Sequence, residues 1–300
     1  MKPTGGSSVA AMVAPPSKSV TGSLGRRPAL PRAEGPAALE RYVIPNLRNA
    51  CRILKLLAER PDGLKASELS RSLAIPVTTT LRIMATLQIA GYARKVENRF
   101  ALGPVLIHLG AASLAGTEIR AAAIPILQAL TARTEETSHL AVPCDDRALI
   151  VAVQDGPHPL RAASRPGFLA PLDCSSTGKT FLAFMDHDRV EEILRQIQAV
   201  RRPIRTGDAV AGIRREAERT RRRGFGLDDE EFAPGVRCLA APVFSADHAC
   251  IAAIGVTAAA VRFPRGRIPE MAAAVTAAAG ELSRQLGCND PRDGVRPRDR

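Results

Sequence analysis

The chain has 300 residues, 45% of them hydrophobic, 24% charged and 3% aromatic, with no Trp, which is material for about two domains with aliphatic cores. Its excess of 42 Lys/Arg over 30 Asp/Glu is local: residues 41–102 carry 11 against 4, whereas 103–288 carry 22 against 21. That is the charge footprint of one nucleic-acid-binding module joined to a neutral partner domain. The six cysteines at 51, 144, 174, 238, 250 and 288 contain no Cys-x-x-Cys pair, which speaks against zinc or thioredoxin-like chemistry and for reduced thiols in the cytoplasm. The apolar run Val9–Ala14 stops at Pro15-Pro16, too soon for a secretory signal. Ala249–Val261, the longest apolar run at 13 residues, is shorter than a bilayer requires, so no membrane partner is expected.

Residues 1–42 are rich in Gly, Pro, Ser and Ala and are expected to form a disordered basic tail, with Lys18, Arg26, Arg27 and Arg32 adding phosphate attraction. Order begins near Asn46, where Leu47, Ala50, Cys51, Leu54, Leu57 and Ala58 recur at helical spacing up to the turn Pro61-Asp62-Gly63. A short helix over Ala66–Leu73, with Leu69 and Leu73 inward, precedes the break Ala74-Ile75-Pro76. A third helix over Val77–Ala90 has Leu81, Met84 and Leu87 on one face and Gly91 past its end. Tyr92–Lys95 and Arg99–Leu102 read as two short strands joined at Val96-Glu97-Asn98. Three helices and a hairpin over 43–103 are the order of a winged helix-turn-helix.

In such a domain the third helix enters the major groove, so Val77, Thr78, Thr79 and Arg82 face the bases. The Thr and Val methyls suit a thymine methyl, and Arg82 suits guanine or phosphate. Arg94, Lys95 and Arg99 suit backbone or minor-groove contacts from the wing. The alternative is that Thr78-Thr79-Thr80 only caps the helix and the charges form a solvated face. The hairpin and the local charge favour the DNA reader.

Residues 104–117 form an apolar linker helix, expected to be buried and a candidate for subunit contact. Over 118–288 helices and strands alternate. Helices are expected at Ile119–Glu136, Thr180–Met185, Val190–Ala199, Ala209–Arg222 and Ile268–Leu286. Strands are expected at Ser138–Val142, Ala148–Val153, Leu160–Ala163, Arg237–Phe244 and Cys250–Ala258. This is an α+β domain, an antiparallel sheet with packed helices. Residues 289–300 are expected to be a disordered tail.

Asn49–Leu54, Leu69–Leu73, Leu87–Tyr92 and Phe100–Gly103 closely resemble the IclR family of bacterial transcriptional regulators. His158–Arg161, Thr177-Gly178-Lys179 and above all Gly224–Val243 resemble that family's effector-domain signature. The resemblance spans roughly 43–287. It departs at Val77, where a basic or polar residue is usual, at Thr80, usually apolar, and at Lys65, usually a Ser/Thr cap.

The resemblance implies a GAF-like domain that binds a small organic acid, carboxylic or aromatic, with Ser176, Thr177, Asp228, Cys238, Ala240, Gly255 and Thr257 around it. Amides at a helix start beside hydroxyls favour a carboxylate. Gly255 and Thr257 stand where relatives often carry Ser, which points to a bulkier or less polar acid. Taken alone, Asp228–Glu231 also fits a solvated acidic loop or pairing with Arg221–Arg223, and Cys238 a core thiol.

Ser176-Thr177-Gly178-Lys179-Thr180 departs from a phosphate-binding loop, which needs Gly where Asp173 stands. No catalytic, dinucleotide or metal fingerprint appears, so neither a cofactor nor an enzyme is expected. The expected protein is a homodimer or homotetramer that reads a pseudo-palindromic double-stranded operator under effector control through the linker helix. The alternatives are a GAF-like enzyme and a ligand-independent DNA-architectural protein.

Overall fold

The computed structural model describes residues 42–115, 118–159, 161, 164–200 and 206–290. The tails expected at 1–42 and 289–300 lie outside those residues except at 42, 289 and 290. Of the strand expected at 160–163 only Arg161 is described, outside any strand. The chain divides into two compact units, Met1–Pro104 and Val105–Arg300.

In the first unit α1 is Pro45–Ala58, α2 Ala66–Leu73 and α3 Val77–Ile89, followed by β1 Ala93–Val96 and β2 Arg99–Leu102. Pro45 opens α1, where its missing N–H costs nothing. The Glu68 carboxylate accepts the Lys65 N–H at 2.7 Å, which satisfies a first-turn donor of α2 without a hydroxyl cap. Ala74 in the left-handed region ends α2, and Gly91, with φ +76°, follows α3. β1 and β2 pair antiparallel, Ala93 opposite Leu102, around Glu97 at φ +53°. Leu64 and Phe100 exchange backbone hydrogen bonds at 2.9 and 2.8 Å and tie the α1–α2 loop to the wing. Gly63, at φ +71°, makes that approach possible: a Cβ there would stand 2.6 Å from the Phe100 carbonyl oxygen.

The core of this unit is Ile53, Leu57, Leu69, Ile75, Ile83, Met84, Leu87, Ala93 and Phe100. Two expectations about helix faces fail. Leu81 is 47% exposed; α3 packs instead through Thr80, Ile83, Met84 and Leu87. On α1 the buried residues are Ile53 and Leu57, while Leu47, Cys51 and Ala58 face outward.

The second unit begins with α4 Val105–Ala115 and α5 Glu118–Thr134. Then come β3 Thr137–Cys144, β4 Arg147–Gln154, β5 Leu169–Pro171, α6 Ser176–Phe184, α7 His187–Val200 and α8 Thr206–Arg223. β6 Gly226–Asp229, β7 Val236–Phe244, β8 Cys250–Ala259 and α9 Ile268–Gln285 complete it. The six strands form one antiparallel sheet in the order β5-β4-β3-β8-β7-β6. β5 and β6, both at sheet edges, were not expected. α6 starts four residues earlier than expected, at a Ser175 cap whose Oγ accepts the Gly178 N–H at 3.0 Å.

The central strands are buried on both faces. Leu140, Leu239, Ala241, Val243, Ile254 and Val256 pack on one side with Leu127 and Leu130 of α5 and Met271, Val275 and Leu282 of α9. Ala141, Ala240, Phe244 and Ala253 pack on the other with Phe181 and Leu182 of α6 and Ile193 of α7. The many alanines let helices approach the sheet closely, and aliphatic burial at about 25 cal/mol per Å² replaces the missing aromatics. The expectation that α4 is buried fails in the single chain: Ile107 is 76% and Leu109 44% exposed.

Candidate nucleic-acid interface and candidate ligand site

The exposed side of α3 follows from what its other side buries. With Thr80, Ile83, Met84 and Leu87 inward, Val77, Thr78, Leu81 and Arg82 point to solvent and Thr79 is half-buried. The capping alternative for the threonines fails: Pro76 occupies the cap, and Thr80 Oγ1 donates backward to the Pro76 carbonyl at 3.1 Å. The first turn of α3 holds no acidic residue, so its positive end stays available to a phosphate. Among the described residues Arg82 forms no ion pair.

On the wing, Arg94 Nε donates to the Leu102 carbonyl at 3.3 Å, and the Lys95 ammonium lies 5.8 Å from the Phe100 ring centroid. Both residues are exposed. Arg99 is engaged differently: it donates to the Gly63 carbonyl at 2.8 Å and pairs with Glu68 at 3.5 Å. It braces the wing against the α1–α2 loop instead of extending from it. An unexpected Leu81 therefore joins Val77, Thr78 and Arg82 on one face, and Arg99 stands apart from Arg94 and Lys95.

In the second unit, register places two rows of residues on the α6 side of the sheet. One row runs Asp228, Cys238, Thr257 and Thr137 across β6, β7, β8 and β3; the next runs Gly226, Ala240, Gly255 and His139. Ser176 and Thr177, both buried, open α6 against them. Two glycines make this approach possible. A Cβ on Gly226 would overlap the Ser176 carbonyl, and one on Gly178 would overlap the Leu172 backbone. Thr180 Oγ1 lies 2.8 Å from the Ser176 carbonyl and 3.0 Å from that of Ala240, which locks helix to strand. The first-turn amides of Ser176 and Thr177 precede the helix ladder, so no intrahelical carbonyl can serve them.

The acidic stretch is not simply a solvated loop, although Glu230 and Glu231 are exposed, and it does not pair with Arg221–Arg223. Asp228 is buried, and its Oδ1 accepts the backbone N–H groups of Glu231 and Phe232 at 2.9 and 3.1 Å. Asp229 and Glu230 pair with Arg237, and Glu231 binds Lys179 at 2.5 Å. Arg223 turns to Glu216 instead. Burial raises the Asp228 carboxyl above its ordinary value against those two backbone bonds and the Lys179 charge. Burial, reinforced by the Asp228 charge, pushes the Cys238 thiol up to about 12. Cys174 is pushed up to about 11 by burial, with Asp173 and Asp228 adding. Burial drives His139 down to about 4. Lys179 also donates to the Leu227 carbonyl at 2.8 Å, so the ammonium of the loop-like Ser-Thr-Gly-Lys is spent on the protein itself. Among the described residues no group of three or more His, Cys, Asp or Glu could hold a metal ion.

Residues 47–97 match the IclR helix-turn-helix domain, and residues 111–284 match the bacterial transcriptional regulator IclR C-terminal domain. The chain belongs to the IclR family. It is 30% identical over 280 residues to the transcriptional repressor IclR of Escherichia coli, covering 92% of this chain and 99% of that one. It is 31% identical to the E. coli regulator KdgR, covering 79% and 91% of the two chains. Among solved structures, an IclR-family regulator from Brucella abortus superimposes with a TM-score of 0.75 at 21% identity, covering 84% and 96%. The Thermotoga maritima IclR gives 0.56 at 27% identity, covering 81% and 99%.

This IclR-family chain is thus a transcriptional regulator with a DNA-binding helix-turn-helix, and no helix among its described residues is long and apolar enough to cross a membrane. Of the seven residues that the resemblance assigns to a ligand, Asp228, Cys238, Ala240, Gly255 and Thr257 share the α6 face of the sheet, and Ser176 and Thr177 open α6 against it. Ala240 is fully buried, opposite both Gly226 and Gly255. His139, opposite Gly255, and the Lys179–Glu231 pair adjoin these residues and are not among the seven. The signal for His139 was its alternation with Ala141 on β3, which becomes informative only once β3 is known to pair with β8.

Proposed function

We propose that this regulator reads a pseudo-palindromic operator in the cytoplasm as a dimer or a dimer of dimers, and that a small organic acid in the second unit modulates that binding. In this reading 43–103 reads DNA, 104–117 couples the two parts, and 118–288 senses the acid. The observation that carries the proposal is the meeting of the α6 start with the Asp228–Cys238–Thr257 row: first-turn amides beside hydroxyls at one side, and a carboxyl, a thiol and a hydroxyl in line at the other. Uncovered apolar residues on α4 support a second copy of the chain as partner. Two relatives are named for the operons they control, the acetate operon repressor of Salmonella typhimurium and the glycerol operon regulatory protein of Streptomyces coelicolor, which supports control of a metabolic operon here. Thiols held at about 11 and 12 stay protonated near neutral pH and make weak nucleophiles, which favours sensing over covalent catalysis. The test is a gel shift on the regulator's selected DNA site titrated with small carboxylic acids. A moved midpoint with at least one acid is expected; a midpoint that no acid moves ends the effector reading.

A further inference from the structure

His139 is the buried titratable group that the ligand-site expectation leaves unused. It stands on β3 directly opposite Gly255 of β8 and is 3% exposed. Its Nδ1 lies 3.5 Å from Thr257 Oγ1. Its Nε2 and Cε1 lie over Gly255, 2.7 and 2.9 Å from where a Cβ would be. The ring therefore fills the space that any side chain at 255 would take. Among the described residues no hydrogen bond to Nε2 is found, and since no fully buried side-chain nitrogen there lacks a partner, the small exposure of the ring includes Nε2.

Burial keeps this imidazole neutral, so one nitrogen carries a proton and the other a lone pair. The polar row favours one arrangement. Asp228 heads it as an acceptor of two backbone N–H groups; with the Cys238 thiol turned toward Asp228 and the Thr257 hydroxyl turned toward the sulfur, the Thr257 oxygen accepts from Nδ1–H, and Nε2 is left as a bare acceptor over Gly255.

We propose that His139 selects the ligand of this site: Nε2 accepts a hydrogen bond from a hydroxyl on the acid, so the site prefers a hydroxy acid over the matching oxo acid. An oxo group in the same place would set its lone pairs against that of Nε2, leaving a buried acceptor unpaired. The proposal rests on the reading of this site as one that binds an acid.

Two measurements test it. Calorimetric titration of the full chain uses lactate against pyruvate, mandelate against phenylglyoxylate, and 2-hydroxyglutarate against 2-oxoglutarate, repeated on His139→Leu. The hydroxy member of at least one pair is expected to bind about tenfold tighter, as one hydrogen bond allows, and the preference to vanish in the variant. Nitrogen-15 NMR of the ligand-free wild-type imidazoles is expected to show a protonated Nδ1 and a bare Nε2 at His139; it needs no variant to fold. An oxo preference, a hydroxy preference that survives His139→Leu, or a protonated Nε2 overturns the role of His139 while leaving an acid site in place. If none of the six acids binds the wild-type chain, the acid-site reading falls and this proposal falls with it.

Discussion

Leu81 and Met84 sit three residues apart on α3 and answer to different forces. Met84 is fully buried among Ile53, Leu57 and Leu69, so Met84→Ala removes packing and leaves a void, at a cost of about 2–5 kcal/mol in a thermal or urea unfolding experiment. Leu81 is half in solvent, so Leu81→Ala is expected to change stability by less than about 0.5 kcal/mol. The same change is expected to weaken operator binding by about 1 kcal/mol, because the apolar feature a major groove offers is the thymine methyl. A large stability loss without a binding loss would place Leu81 in the core after all. His139 makes a second residue-level prediction. Its folded value of about 4 lies below the ordinary 6.5, so the unfolded chain binds the proton more readily. Stability is therefore unaffected above pH 6.5 and falls as pH drops from 6.5 toward 4, by up to about 3 kcal/mol. His139→Gln is expected to flatten that limb of the stability profile; an unchanged slope would show that the ring is not held neutral.

At the scale of elements, legibility followed chemistry. α1, α2, α3 and the wing were readable because apolar spacing, Pro76 and Gly91 punctuate them. The face of α3 was not, because a polar Thr80 occupies a fully buried position and pays its hydroxyl back to Pro76, which made Leu81 look like the inward residue. β5 was hidden by its length of three residues and its Pro171, and β6 by the polar string Gly-Leu-Asp-Asp, which is strand only because β7 pairs with it. α6 began earlier than expected because Ser, Thr and Gly form helix poorly unless a cap such as Ser175 holds them. The ligand-side residues came from family resemblance; their alignment into two rows is a property of register, which one strand's sequence does not contain. α4 carries its own prediction. With Ile107 and Leu109 uncovered, Ile107→Asp is expected to lower the oligomeric state in light scattering while leaving the second unit folded. An unchanged mass would remove α4 from any subunit contact.

At the scale of the whole molecule, positive charge concentrates in the first unit, while the second is nearly neutral, as a transcriptional regulator with one DNA-binding helix-turn-helix requires. The outward face of α3, with Val77, Thr78, Leu81 and Arg82, is the surface proposed to read duplex DNA. Its most direct test is a fluorescence-anisotropy titration of a duplex selected by the wild-type chain from a random pool, compared with a scrambled duplex and with Leu81→Ala and Arg82→Ala at one fixed salt concentration. The selected duplex is expected to bind about a thousandfold tighter than the scrambled one. Both folded variants are expected to bind more weakly, Arg82→Ala by about 1–3 kcal/mol. Equal affinity for both duplexes, or variants that bind as the wild type does, would contradict that role for α3.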